Sequence, residues 1–242
     1  MSQIYQIVLI GLVGIGATFV QRVSGFGLGI FSMLFLPHFM SQPTDAIAIS
    51  CLFSCVTSTY NAIKYRKHIP FNIILPLVFA AMITIPIAVH FSVLISTRFF
   101  EIALGLVLIF LSIYFLFFDN RIMIKPTLKN SLIAGGVGGA LNGLFSTGGP
   151  PIVLYLTHAT TNNIAYFSGI QFYFSITNIY ATVLRVINGL VTWRIFVYAT
   201  IGFCGCMIGN MLGNYIFNKL DSNKLKKIIY IGMIISGIIM IF

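Results

Sequence analysis

Residues 29–38 read Gly29-Ile-Phe-Ser-Met-Leu-Phe-Leu-Pro-His38, and residues 149–158 read Gly149-Pro-Pro-Ile-Val-Leu-Tyr-Leu-Thr-His158. A shift of about 120 positions lays one over the other, so that Gly29, Leu34, Leu36 and His38 meet Gly149, Leu154, Leu156 and His158. Two leucine matches carry little weight in an apolar chain. A shared glycine and histidine inside a shared order of long and short apolar segments carry more, and they point to an internal duplication. The first set of segments covers residues 4–20, 28–40, 45–63, 70–95 and 99–118. After a polar link the set recurs at 131–145, 149–160, 164–187, 193–217 and 225–242. The expected division is residues 1–118 as a first membrane repeat, 119–130 as a cytoplasmic linker and 131–242 as a second membrane repeat.

Composition says what solvates these segments. The chain has 242 residues, of which 58% are hydrophobic and only 7% charged. A soluble domain carries about 25% charged residues. So few charges cannot cover a water-facing surface, which excludes both a soluble globule and a disordered chain. At about 20 residues per span, the length allows roughly seven to ten crossings. The expected fold class is an all-α polytopic membrane protein. No cleavable leader is evident at the first apolar segment, which is expected to be retained.

The charge balance is +10. In lipid this is a topology signal rather than a nucleic-acid footprint. If each half crosses an odd number of times, Lys64, Arg66, Lys67, Arg121, Lys125, Lys129, Lys219, Lys224, Lys226 and Lys227 share one side. Only Arg98 and Arg194 then fall on the other. An even count scatters the same charges. The positive-inside rule therefore favours inverted repeats of about five helical segments, a symmetry of alternating-access carriers.

Two Gly-rich breaks precede the short segments. They are Gln21-Arg22-Val23-Ser24-Gly25-Phe26-Gly27-Leu28-Gly29 and Asn142-Gly143-Leu144-Phe145-Ser146-Thr147-Gly148-Gly149-Pro150-Pro151. Glycine frees the backbone, proline suits the first turn of a new helix, and helix starts attract anions. Paired breaks at matching places point to a substrate site, and close helix packing is the other use of such glycines. Arg22 could grip an oxyanion at the first break or reach the headgroups from an interfacial position. Gln21, Ser24, Asn142, Ser146 and Thr147 are donors for the same ligand or for helix caps. The backbone positions of interest are Gly25, Gly27, Gly29, Gly148, Gly149 and Pro150. Gln171, Asn178 and Arg185 form a stripe at seven-residue spacing that lines a pathway or bonds helix to helix, and Gln171 joins the candidate binding set.

The remaining polar residues are less telling. His38 and His158 fit interfacial positions better than a proton relay, and Asp45 fits a helix start. Cys51, Cys55, Cys204 and Cys206 read as small apolar residues without metal-site spacing. No catalytic group, metal ligand or cofactor is expected. No acid lies deep in a span and no nucleophile–base pair is evident, which argues against an enzyme.

With these residues in view, the chain resembles the TauE/SafE sulfite exporter family of the toluene sulfonate uptake permease superfamily. Ser24 to Gly29 leading to Pro37, and Thr147 to Pro151, carry the resemblance within a duplicated chain of this size. In that family a Gly-Gly-Gly run is common at the first break, where Phe26 and Leu28 stand here. The resemblance implies a multi-pass transporter of the bacterial inner membrane. It would move a small sulfur-containing or organic anion, with protons as the usual coupling ion. A passive channel for a small neutral solute is the alternative, followed by a non-transporting assembly partner. The partners expected are the lipid bilayer and a small anion, with no nucleic acid.

Overall fold

A computed structural model describes residues 3–117, 124–216 and 222–242. Among the described residues there are ten α-helices and no strand. In order they are α1 (Gln3–Ser24), α2 (Leu28–Phe35), α3 (Pro43–Lys64), α4 (Phe71–Leu94) and α5 (Thr97–Phe117). Then come α6 (Leu128–Phe145), α7 (Gly149–Ala159), α8 (Asn163–Ile187), α9 (Trp193–Ile216) and α10 (Ser222–Ile241). Five of them, α1, α3, α4, α5 and α9, are long and apolar enough to cross a membrane. The chain is an all-helical, multi-pass membrane protein.

Every expected segment is a helix, with informative differences at the ends. α1 runs on to Ser24, so Gln21 and Arg22 occupy its last turns and the first break starts at Gly25. α6 starts at Leu128, inside the expected linker. Thr127 caps it by accepting from the Asn130 N–H at 3.3 Å. α2 ends at Phe35 and continues as a 3-10 turn over Leu36–His38, because Pro37 offers no N–H to the helix ladder. α2 and α7 have 8 and 11 residues. At 1.5 Å per residue they are about 12 and 16 Å long, well short of a hydrocarbon core of about 30 Å.

Small residues decide which helices pack. On α6, Gly135, Gly139 and Gly143 recur every fourth residue and lie against Leu77, Ala81 and Ala88 of α4. On α9, Gly202, Gly205 and Gly209 lie against Ile10, Gly11 and Ile15 of α1. Lipid supplies no hydrophobic force between helices, so close backbone approach at such positions is what binds them. The opposite faces are apolar and outward: Tyr5, Val8 and Leu12 on α1, Phe79, Ile83 and Ile87 on α4. Cys204 also faces outward, contrary to the expected burial of all four cysteines. Cys51 and Cys206 are buried, and Cys55 lies 3.3 Å from the Thr182 hydroxyl.

The contact registers give helix directions. Gly11, Ile15 and Arg22 of α1 meet Gly205, Gly209 and Gly213 of α9, so these helices run the same way. Leu77, Ala81 and Ala88 of α4 meet Gly135, Gly139 and Gly143 of α6, also in parallel. α3 and α8 run in opposite directions: Cys55 lies against Thr182, whereas Thr59 bonds Ser175 at 2.8 Å. So do α5 and α10. Arg98 donates to the carbonyls of Met240 and Ile241, and Ser112 donates to that of Tyr230. The α1–α9 and α4–α6 contacts, together with α3–α8 and α5–α10, are the most extensive in the molecule.

These directions also sort the charges. Lys64, Arg66 and Lys67 lie where α3 turns into α4, and Lys125 and Lys129 flank the parallel start of α6, at the same end. Arg194 donates to Ser41 and Thr97 donates to Gln42, which places Arg98 and Arg194 at the opposite end, beside the start of α3. Arg121 and Lys219, and the side chains of Lys224, Lys226 and Lys227, lie outside the described residues.

A Cβ on Gly205 would overlap the Gly11 carbonyl oxygen, whereas one on Gly11 would meet open space. Gly205→Val should therefore destabilise the protein by about 1–3 kcal/mol or prevent its folding. Gly11→Ala should leave the melting temperature in detergent unchanged or slightly raised.

Candidate functional site

The two breaks meet at the centre of the molecule. α1 ends when the Gly25 N–H closes on the Gln21 carbonyl at 2.8 Å, with Gly25 at φ 82°. α6 ends in the same way: the Ser146 N–H closes on the Asn142 carbonyl at 3.0 Å, with Ser146 at φ 56°. Gly25 and Ser146 are 121 positions apart, as are Gln21 and Asn142, and as are the first residues of α2 and α7. Gly27 at φ 99° then redirects the chain into α2. Serine in a left-handed conformation is uncommon, and here surrounding contacts hold it.

Those contacts also follow the repeat offset. The Gln171 amide of α8 donates to the Gly25 carbonyl at 2.9 Å. The Ser50 hydroxyl of α3 lies 3.1 Å from the Ser146 hydroxyl. Ser50 and Gln171 are again 121 positions apart. Each break is thus braced by the third helix of the other half. Broken backbone at membrane depth requires such internal partners.

A narrow cavity of about 20 Å³, room for about one water molecule, lies between the breaks. It is lined by Gln21, Gly27, Gly29, Asn142, Ser146, Thr147 and Gly149 from the expected set. Leu28, Ile30, Ser54, Phe174 and Asn178 complete it. Asn178 was legible in the seven-residue stripe, but nothing local marks Ser54 as a lining residue. Gln171 stands one bond away, accepting from the Gln21 amide at 3.3 Å. Gly25, Gly148 and Pro150 shape the backbone beside the cavity without lining it. The side chain of Ser24 lies outside the described residues.

Most polar groups here are already engaged with each other. The Gln21 amide donates to Ser58 at 3.1 Å and accepts from Thr57 at 3.1 Å. The Asn178 amide donates to Ser54 at 3.0 Å and accepts from Asn142 at 3.3 Å. The Thr147 hydroxyl differs: it is buried, it lines the cavity, and it has no hydrogen-bond partner. A buried hydroxyl without a partner is costly. The ladder of α2 begins with Phe31 to Gly27, so the N–H groups of its first turn face the cavity end of the helix. They carry the positive end of the helix dipole to the cavity wall.

Arg22 is placed elsewhere. Its guanidinium donates to Asn214 and, at 3.2 Å, to the Tyr65 hydroxyl, and it lies 5.2 Å from the centre of the Phe167 ring. The Arg22 hydrogen bond holds the Tyr65 hydroxyl below its ordinary pKa. Arg22 therefore sits one step from the cavity, toward the Lys64 end. His38 and His158 are also away from it. His38 lies 3.1 Å from the Ser236 hydroxyl, and His158 donates to its own helix at the Leu154 carbonyl.

A Cβ on Gly29 would overlap the Ser146 carbonyl oxygen, so the two breaks touch through backbone alone. Gly29→Ala should lower stability by about 1–3 kcal/mol in thermal melting. A melting temperature equal to that of the parent would mean that the breaks do not meet there.

Comparison with known families yields one finding. The family model described as sulfite exporter TauE/SafE matches residues 10–240. Comparison with curated proteins and with solved structures gives no match. The match takes in both breaks, every residue that lines the cavity, and all ten helices but for the first residues of α1 and the last of α10. The chain belongs to the TauE/SafE sulfite exporter family of membrane transporters.

Proposed function

We propose that the protein is a secondary transporter that carries a small oxyanion, such as sulfite or a sulfonate, through the cavity between α2 and α7. The observation that carries this reading is the buried, unpartnered Thr147 hydroxyl facing a cavity that the first turn of α2 also lines. Both are donors, and donors with a helix-dipole field suit an anion. The lining contains no acid to repel it. The lining also holds no ionisable side chain, so a coupled proton would travel on the oxyanion itself, as its hydrogen form.

The mechanism we propose is alternating access between inverted repeats, residues 1–118 and 131–242. Helices at corresponding places in the two halves run in opposite directions for α3 and α8 and for α5 and α10, which supports inversion. Exchanging the halves also turns the α1–α9 contact into α6–α4. These glycine-packed pairs are suited to move as rigid units about the α3–α8 contact. The positive end at Lys64, Arg66, Lys67, Lys125 and Lys129 would face the cytoplasm of a bacterial cell, with the inner membrane as location. We assign no catalytic role to any residue.

Thr147→Val keeps the shape and removes the donor. Sulfite flux into proteoliposomes should fall about tenfold or more, as expected for a hydrogen bond to a charged group. The melting temperature should hold or rise, because a buried unpaired hydroxyl is gone. Unchanged flux would remove Thr147 from the site. For topology, Lys64→Cys and Lys125→Cys should label from one face with a membrane-impermeant thiol reagent, and Arg194→Cys from the other. Labelling of Arg194→Cys from the same face as Lys64→Cys and Lys125→Cys would overturn the inverted arrangement.

A further inference from the structure

Arg185, near the end of α8, is fully buried. One of its terminal nitrogens donates to the Gly143 carbonyl in the last turn of α6. The Nε and the other terminal nitrogen have no partner. No carboxylate among the described residues pairs with it. Capping the last carbonyls of α6 needs one donor, and a shorter or neutral side chain would serve. A whole guanidinium with two nitrogens left over, inside a bundle, is best matched by a negative charge. Nε and the free terminal nitrogen lie on different edges of the guanidinium, so each offers an oxyanion its own charge-assisted bond.

The position is as telling as the charge. Asn178 lines the cavity and Arg185 follows seven residues later, about 10 Å further along the same face of α8. Gly143 is the chain neighbour of Asn142, which also lines the cavity. The repeat offset of 121 carries Arg22 onto Gly143, and Tyr65 onto the neighbour of Arg185. The Arg22–Tyr65 contact on one side of the cavity thus corresponds to the Gly143–Arg185 contact on the other. Each side has one arginine, contributed by opposite partners of equivalent helix pairs. Arg22 is partly open, whereas Arg185 is sealed.

We propose that Arg185 is a second anion-binding station. It would receive the transported oxyanion between the α2–α7 cavity and the Arg98–Arg194 face, as the counterpart of Arg22 on the Lys64 side. The station rests on the transporter reading above. It is closed in this conformation and opens when access switches to the Arg98–Arg194 face. The residue binds substrate oxygens in passing and leaves the central site to neutral donors, so that no single site holds the anion too tightly to release it.

The test uses proteoliposomes with sulfite supplied at one face at a time, for the parent, Arg185→Lys and Arg185→Gln. Lysine keeps the charge but cannot cap Gly143 and present further N–H groups at once, so KM at the Arg98–Arg194 face should rise about tenfold. KM at the Lys64 face should change by less than about twofold, since the central donors are untouched. Equal changes at both faces, or none, would overturn the station. If both variants fail to fold, the parent protein still decides. Phenylglyoxal modification of Arg185, read by peptide mass spectrometry, should occur slowly and be suppressed by methanesulfonate, which, unlike sulfite, does not add to the reagent's aldehyde. Modification indifferent to methanesulfonate, or none at all, would also overturn it. If the parent moves neither sulfite nor methanesulfonate, the transporter reading fails with it. A parent that transports normally with an indifferent Arg185 defeats the station alone.

Discussion

A helix interrupted inside a membrane leaves N–H and C=O groups that neither water nor lipid can satisfy. The structure depends on how this constraint is met at Gly25 and Ser146. Each break closes its own helix end with one backbone bond and takes one brace from the opposite half, Gln171 on Gly25 and Ser50 on Ser146. The braces tie α8 to the first break and α3 to the second. They leave the Thr147 hydroxyl without a partner at the cavity, beside the first turn of α2. These donors share one small volume, where an anion is the natural complement.

The glycine ladders define which helices form pairs. Gly135, Gly139 and Gly143 bring α6 onto α4, and Gly202, Gly205 and Gly209 bring α9 onto α1. Such close, smooth contacts make firm pairs without long interlocking side chains. Contacts between α3 and α8 are hydroxyl, thiol and amide bonds, such as Thr59–Ser175 and Asn178–Ser54. Polar bonds of this kind can be exchanged for others at modest cost, which suits a central axis around which pairs tilt. Placing these bonds beside the cavity links what occupies it to how the pairs are arranged.

Much of this could be read from the chain. Both short segments, the proline start of α7 and the separation of basic loops from Arg98 and Arg194 follow from rules that act locally. What escaped reading depends on side chains meeting across helices. Arg22 read either as a ligand beside the break or as an interfacial residue, and its contacts with Tyr65 and Asn214 follow from α1 continuing one turn past Val20. Ser54 lines the cavity because α3 and α8 cross there, which no local pattern encodes. Thr147 stood out only as one hydroxyl among several. Its importance comes from the absence of any partner, a property of the folded surroundings. The reach of α1 past Val20, by contrast, was within sight, since nothing between Val20 and Gly25 breaks a helix.

The central claim is that an oxyanion sits between the start of α2 and Thr147. Selenite has the shape and charge of sulfite and scatters X-rays anomalously, so a crystal structure of the selenite complex reports on it directly. An anomalous peak within hydrogen-bond distance of the Thr147 hydroxyl and the Gly29 N–H is the predicted result. A saturated complex with the peak elsewhere, and none between α2 and Thr147, would contradict the account.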